Sequence, residues 1–338
     1  MVSSLPFDRR TLAKTLAGFV VAGALLYLFA AGVGLGEVRR TLAEADPRWL
    51  AAGCLSTLCC LALWGRAWQV VLRVAGVEVP YRRLVVTYFA ATFANYVTPL
   101  GQAGGEPFIA YVLSRDTTAS YEESLASVVT ADLLNLLPFF SFSAVGLSVL
   151  LLQSSLPAAA TALARGLLVM ALGVPALVVV GWRFRERVRT GVLRLVAPLA
   201  RLTDRLSVDH VAERVDDLYE AFGRIAEDRV ALVEAVAFAY LGWVCFALPL
   251  YFAGVTLGFD AVDPLLVLFV VPASTLAGLT PSPGGLGGVE AALVALLVAL
   301  TGLTAAQALA AALVYRVMSY WFALGVGGLA AVTVVARS

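Results

Sequence analysis

The sequence predicts an all-α polytopic membrane protein, an inverted-topology repeat with two re-entrant helical hairpins and about six full spans. Three observations carry that expectation. Of 338 residues 61% are apolar and only 14% charged, with a mean hydropathy of +0.89. Apolar runs of span length follow one another along the chain. Two of them are broken by Pro/Gly segments that share one pattern, Thr-Pro followed by Gly-Gly and then Glu.

The composition excludes several classes at once. An ordinary soluble domain carries about a quarter charged residues, so a soluble enzyme does not fit, and disorder does not fit so apolar a chain. A net charge of +1 gives no basic field for nucleic acid. Cys54, Cys59, Cys60 and Cys245 sit inside apolar runs without metal-ligand spacing and read as packing residues. No P-loop, Ser/His/Asp set or Cys/His cluster points to a cofactor, a metal or a reaction.

Taken in order, the run Thr15 to Val33 follows Arg9, Arg10 and Lys14. It exceeds the roughly 7 to 15 residues of a signal core and is expected to be a retained first span. Further runs are Trp49 to Leu72, Leu84 to Thr98, Leu125 to Gln153, Ala164 to Trp182, Val230 to Phe252, Pro264 to Thr280, Val289 to Leu300 and Ala305 to Ala336. The densest cationic stretch, Arg183 to Arg205, belongs in the cytoplasm by the positive-inside rule. Counting outward from it puts both termini on the cytoplasmic side of the cell membrane.

That count makes one segment informative. Leu84 to Leu113 begins beside Arg82 and Arg83 and ends beside Arg115, so both its ends belong on the cytoplasmic side. The break at its centre, Thr98-Pro99 to Gly104-Gly105-Glu106-Pro107, permits a reversal inside the bilayer. The second break runs from Thr280-Pro281 to Gly287-Gly288-Val289-Glu290 and opens to the opposite side. The first repeat is therefore 49–153 and the second 230–336, within a single transmembrane domain. Between them, 183–229 forms a basic amphipathic cytoplasmic segment in which the lone histidine, His210, is expected to be solvated. The repeat is reinforced by spacing: Asp132 follows Glu106, and Arg316 follows Glu290, by the same 26 positions.

At these strings the sequence resembles the flippase-like family that includes the transmembrane region of lysylphosphatidylglycerol synthases. The likeness runs from roughly Ala51 to the end and is most specific at Pro281 to Glu290, with Arg316 downstream. It implies a protein that moves a lipid or lipid-linked headgroup between leaflets. Relatives often carry arginines where this chain has Ile109 and Val128 or Val129, so a phosphate-holding role would pass to Arg115, Arg316 or Arg66. No synthase domain follows in this sequence, and aminoacyl transfer to lipid is not expected.

Glycine-rich breaks are tolerated in a bilayer only where protein or water lines them. Gly104, Gly105, Glu106, Asp132, Gly287, Gly288, Glu290 and Arg316 are therefore the candidate substrate- or ion-binding residues, with Arg66, Asn95, Arg115 and Asn135 secondary. Helix amino termini attract phosphate. Each glutamate either binds a coupling ion there or caps its own half-helix. Asp132 and Arg316 either pair or meet substrate. The expected partner is an anionic or polyprenyl-linked lipid. The alternative function is a membrane scaffold that docks a separate glycosyltransferase or lipid-modifying enzyme through the basic segment.

Overall fold

The computed structural model describes residues 27, 31, 35–43, 45–97, 105–117, 119–153, 158–200, 208–275 and 282–336. The expected first span Thr15 to Val33, Thr98 to Gly104 of the first break, the turn at 154–157 and Thr280-Pro281 of the second break lie outside or almost wholly outside them. Among the described residues there is no strand. The helices are α1 (Leu35–Ala43), α2 (Pro47–Val74), α3 (Tyr81–Val97), α4 (Gly105–Asp116), α5 (Tyr121–Gln153), α6 (Ala158–Arg183), α7 (Arg185–Ala200), α8 (Val208–Glu227), α9 (Arg229–Thr256), α10 (Pro264–Thr275), α11 (Gly288–Thr301), α12 (Ala305–Arg316) and α13 (Phe322–Val335). A single 3₁₀ turn, Pro283–Gly285, precedes α11, and a π turn, Val317–Trp321, joins α12 to α13.

Five stretches among the described residues are long and apolar enough to cross a membrane, or six if the bent pair α6–α7 counts as one span. The chain is thus an all-α polytopic membrane protein. Helix existence follows the apolar runs closely, because a chain in lipid must satisfy every backbone N–H and C=O within itself. Boundaries differ in one informative place. The run Ala305 to Ala336 is not one regular helix, since five residues after Arg316 take π geometry.

The chain divides into two compact units. The first takes in Met1–Ala62, Val86–Phe108 and Gly242–Ser338. Its packing begins with a small-residue face on α2, where Gly53, Ser56, Thr57 and Cys60 recur at helical spacing and are all buried. Thr57 Oγ1 donates to the carbonyl of Met318 at 2.9 Å, and Ser56 Oγ to that of Cys245 at 2.8 Å. Small residues let backbones approach, and hydroxyls then bond across the helix pair. In the same unit α1 packs on α12, α10 on α11 and α11 on α12.

The second unit takes in Leu63–Val85 and Ile109–Leu241. Its long α5 packs against α6 and α8, and α7 against α8. The axis turns by 96° between α6 and α7, around Phe184. The expected basic segment is therefore a helix pair. Arg189 grips Asp216 with two bonds, Nε to Oδ1 at 2.6 Å and Nη2 to Oδ2 at 2.8 Å, which ties α7 to α8. Trp182 packs on Phe222 and Tyr219 of α8 with ring centres 5.0 and 5.9 Å apart.

Candidate functional site

The second break determines the site. Pro283 cannot donate a backbone N–H and Gly284 adopts φ +58°, so the chain makes one tight turn and leaves the helix path. Gly287, at φ +87°, then caps α11, a conformation no L side chain adopts cheaply. Ser282 Oγ donates to the Leu286 carbonyl at 2.9 Å and closes the turn on itself. The backbone of this break is thus largely satisfied from within.

Glu290 stands in the first turn of α11 and is only 1% exposed. Its two oxygens have separate duties. Oε2 accepts from the backbone N–H of Gly287 at 2.6 Å, capping the helix. Oε1 accepts from Nε of Arg316 at 2.6 Å. Arg316, at 7% exposure, also donates through Nη2 to the carbonyl of Gly284 at 2.8 Å. One guanidinium therefore holds both the turn at Gly284 and the acid at the end of the break. Of the two roles the sequence offers Glu290, coupling-ion binding or capping, the structure shows the cap, and it adds a pairing with Arg316 that the sequence offers to Asp132.

Tyr320 completes the arrangement. Its ring lies with its centre 4.3 Å from Arg316 Cζ, a desolvated cation–π contact. Its hydroxyl donates to the carbonyl of Tyr96 at 3.2 Å, and the two tyrosine rings sit 4.8 Å apart. Tyr96 ends α3 just before the first break, so this tyrosine pair joins the neighbourhood of one break to the other. Sequence reasoning missed Tyr320, Tyr96 and Gly284. The available signal for Tyr320 was its place four residues after Arg316, on the same helical face.

The other candidates are placed as follows. Gly104 lies outside the described residues, Gly105 opens α4 and Glu106 sits in its first turn, part-buried. Gly288 opens α11. Asn95 is half-buried on α3, and Asn135 on α5. Asp132, in the second unit, accepts from Trp68 Nε1 at 3.0 Å, while Arg316 has its carboxylate partner in Glu290 of the first unit. Arg115 ends α4 and donates to the hydroxyl of Tyr111 at 3.2 Å. Arg66 lies in a separate cluster of the second unit with Arg73 and Glu234. Among the described residues no three His, Cys, Asp or Glu side chains converge to hold a metal ion.

A family model described as the lysylphosphatidylglycerol synthase TM region matches residues 15–327. The chain belongs to this family. Two proteins of Methanothermobacter thermautotrophicus, each named UPF0104 membrane protein, are 26% and 27% identical over 91% and 96% of this chain and 91% and 93% of their own lengths. A similarly named protein of Pyrococcus horikoshii is 24% identical over 92% of this chain and 94% of its own. The glycosyltransferase AglD of Haloferax volcanii is 26% identical over 87% of this chain, which corresponds to 51% of AglD. The stretch matched by this chain thus takes up nearly the whole of the UPF0104 relatives and about half of AglD.

Proposed function

We propose that this member of the lysylphosphatidylglycerol synthase TM region family is a flippase-like translocator, moving an anionic lipid or lipid-linked headgroup between leaflets of the cytoplasmic membrane with both its termini in the cytoplasm. The observation that carries the reading is the buried Glu290–Arg316 pair at a glycine break inside an apolar span. A charge at that depth costs several kcal/mol unless paired, and such residues mark transport paths. The family and the glycosyltransferase relative add a setting in lipid or glycan metabolism.

In this mechanism the headgroup phosphate replaces Glu290 as the partner of Arg316. Guanidinium and phosphate match in a planar, two-point fashion. The amino terminus of α11 adds the N–H groups of its first turn. Glu290 keeps its bond to the Gly287 N–H and holds the half-helix while its other oxygen is released. The two breaks act as opposed re-entrant hairpins, Glu106 standing at the first as Glu290 stands at the second. The repeat is supported by spacing: Leu303 lies thirteen positions from both Glu290 and Arg316, and Ala119 thirteen from both Glu106 and Asp132.

The test is reconstitution into vesicles holding fluorescent phosphatidylglycerol, with dithionite reporting the outer leaflet. Glu290→Gln removes the charge that Arg316 must exchange and slows leaflet exchange by about tenfold or more, on the scale of one charge-assisted bond. Glu106→Gln is expected to slow it as well. Equal exchange by wild type and both variants overturns the reading.

A second reading has one observation behind it, the match of this chain to about half of a glycosyltransferase. Here the protein is a subunit that docks such an enzyme through Arg183 to Arg205. Both glutamate variants would then retain the partner's activity, and neutralising those arginines would abolish it.

A further inference from the structure

A second charge cluster lies in the second unit. Arg66 and Arg73 stand seven positions apart on α2, hence on one face. They converge on Glu234 of α9, Arg73 Nη2 at 2.9 Å from Oε2 and Arg66 Nη2 at 3.8 Å from Oε1. Two guanidiniums sharing one carboxylate leave a surplus of one positive charge. Arg66 also donates through Nη1 to Gln69 Oε1, whose amide donates to the Val79 carbonyl at 2.9 Å. Gln69 is neutral and does not remove the surplus.

Aromatic walls orient this cation. Arg66 Cζ is 5.6 Å from the ring centre of Tyr81 and 5.9 Å from that of Phe238. Its side chain is nevertheless 36% exposed and that of Arg73 55%. Arg66 is eight residues inside the end of α2, about 12 Å along the helix. That depth suits the headgroup and glycerol boundary rather than bulk water.

The surface beside the cluster is oily. Val230, Val233, Ala237 and Leu241 recur along α9 at spacings of three and four and are all exposed. They form an apolar stripe about 17 Å long. Glu234 and Phe238 each follow a stripe residue by one position, so the charge cluster borders the stripe. An anionic group at Arg66 and Arg73 would thus have a place for a hydrocarbon chain next to it.

We propose that Arg66 and Arg73 bind the phosphate of an anionic membrane phospholipid, with Tyr81 and Phe238 holding the Arg66 fork and the α9 stripe taking an acyl chain. Glu234 competes with the phosphate for both arginines. This site is independent of the Glu290–Arg316 pair and is read by binding, so it stands or falls apart from leaflet exchange.

Native mass spectrometry of the purified full chain, titrated with phosphatidylglycerol or phosphatidylcholine, tests the site. Phosphatidylglycerol is retained preferentially, and Arg66→Gln lowers that retention about tenfold. Glu234→Gln raises it, a sign that general damage to the fold would not produce. Arg48→Gln removes one exposed charge from the amino-terminal turn of α2 and changes retention by less than about twofold. Equal retention of the two lipids, no effect of Arg66→Gln, reduced retention in Glu234→Gln, or an equal loss in Arg48→Gln overturns the assignment. Glycerol 3-phosphate supplies the soluble arm. If it binds without lipid in an Arg66-dependent way as tightly as phosphatidylglycerol does, the lipid assignment is overturned.

Discussion

The ring of Tyr320 fills the space that a side chain at position 284 would need. A Cβ built on Gly284 lies 2.0 Å from Tyr320 Cε2 and 2.6 Å from Cζ. The glycine is thus required twice, by its φ of +58° and by the aromatic ring that covers Arg316.

Gly284→Ala therefore loses stability on two counts, about 1–2 kcal/mol for the left-handed backbone and about 1–3 kcal/mol for the clash. Gly302→Ala supplies the comparison, because φ there is +71° but nothing lies within 4 Å of the added carbon. Only the backbone cost applies to it. Thermal unfolding of the detergent-purified variants should place Gly284→Ala well below Gly302→Ala. Equal midpoints would remove Tyr320 from the account of the break.

Glu290 and Arg316 face each other at 2.6 Å, the one ion pair at the break among the described residues. Removing one partner leaves the other buried with an uncompensated charge, a loss of about 3–5 kcal/mol. Glu290→Gln and Arg316→Gln should each show it. The double variant should recover part of that loss, since no net charge remains inside. A coupling above about 1 kcal/mol in the double-mutant cycle is expected for groups in direct contact. Additive losses would mean that the two residues act separately.

Much of this was legible in the sequence. Apolar length located the spans because the bilayer imposes one thickness on them, and Pro and Gly located the turn at Pro283–Gly287 because their backbone properties are local. The partner of Arg316 was legible in principle too. In two antiparallel helices joined by a short loop, residues equidistant from that loop meet, and Glu290 and Arg316 are equidistant from Leu303. The 26-residue spacing reads in the sequence as a mark of repetition; within one hairpin it is also what brings the two residues together. Tyr320 and the π turn left no trace in hydropathy, because a π turn changes hydrogen bonding without changing composition. Arg66 is a secondary candidate in the sequence, without a partner in view, and only the fold brings Glu234 to it and to Arg73, the latter 161 positions away.

Two neighbouring acids on α8 should respond to pH in opposite senses. The hydrogen bond and charge of Arg189 hold the Asp216 carboxyl below its ordinary value of 3.8. Its contribution to stability is present above that value and is lost as pH falls through the lowered one. Burial, followed by repulsion from Glu213, Glu220, Glu122 and Glu123, pushes Asp217 up. A raised acid stabilises below its ordinary value, and that contribution is lost as pH rises through the folded one. At pH 7 Asp216→Asn should weaken the α7–α8 pair and Asp217→Asn should strengthen α8, each by no more than about 1 kcal/mol, since the first is exposed and the second only part-buried. Amide exchange across 208–227 at pH 7 and near pH 3 reads both effects. The Asp217→Asn gain should vanish in acid, and a gain that persists would assign the effect to packing.

Close approach of α3 and α13 rests on a single hydrogen atom. A Cβ on Gly327 would lie 2.6 Å from the carbonyl oxygen of Phe89 and 3.0 Å from Phe93 Cβ, both parts of the helix framework rather than flexible side-chain ends. Gly328 would meet only the Phe93 ring at 3.4 Å, and Gly325 meets nothing within 4 Å. Sequence gives these three glycines the same appearance, but their contacts predict three outcomes. Gly327→Ala should lower stability by about 1–3 kcal/mol through overpacking. Gly328→Ala should be near neutral. Gly325→Ala should raise stability by up to about 1 kcal/mol, because alanine loses less backbone freedom in a helix. Unfolding midpoints of the three purified variants decide the matter. A harmless Gly327→Ala would mean that α13 can move off α3 without loss, and the contact would then carry no part of the first unit's stability.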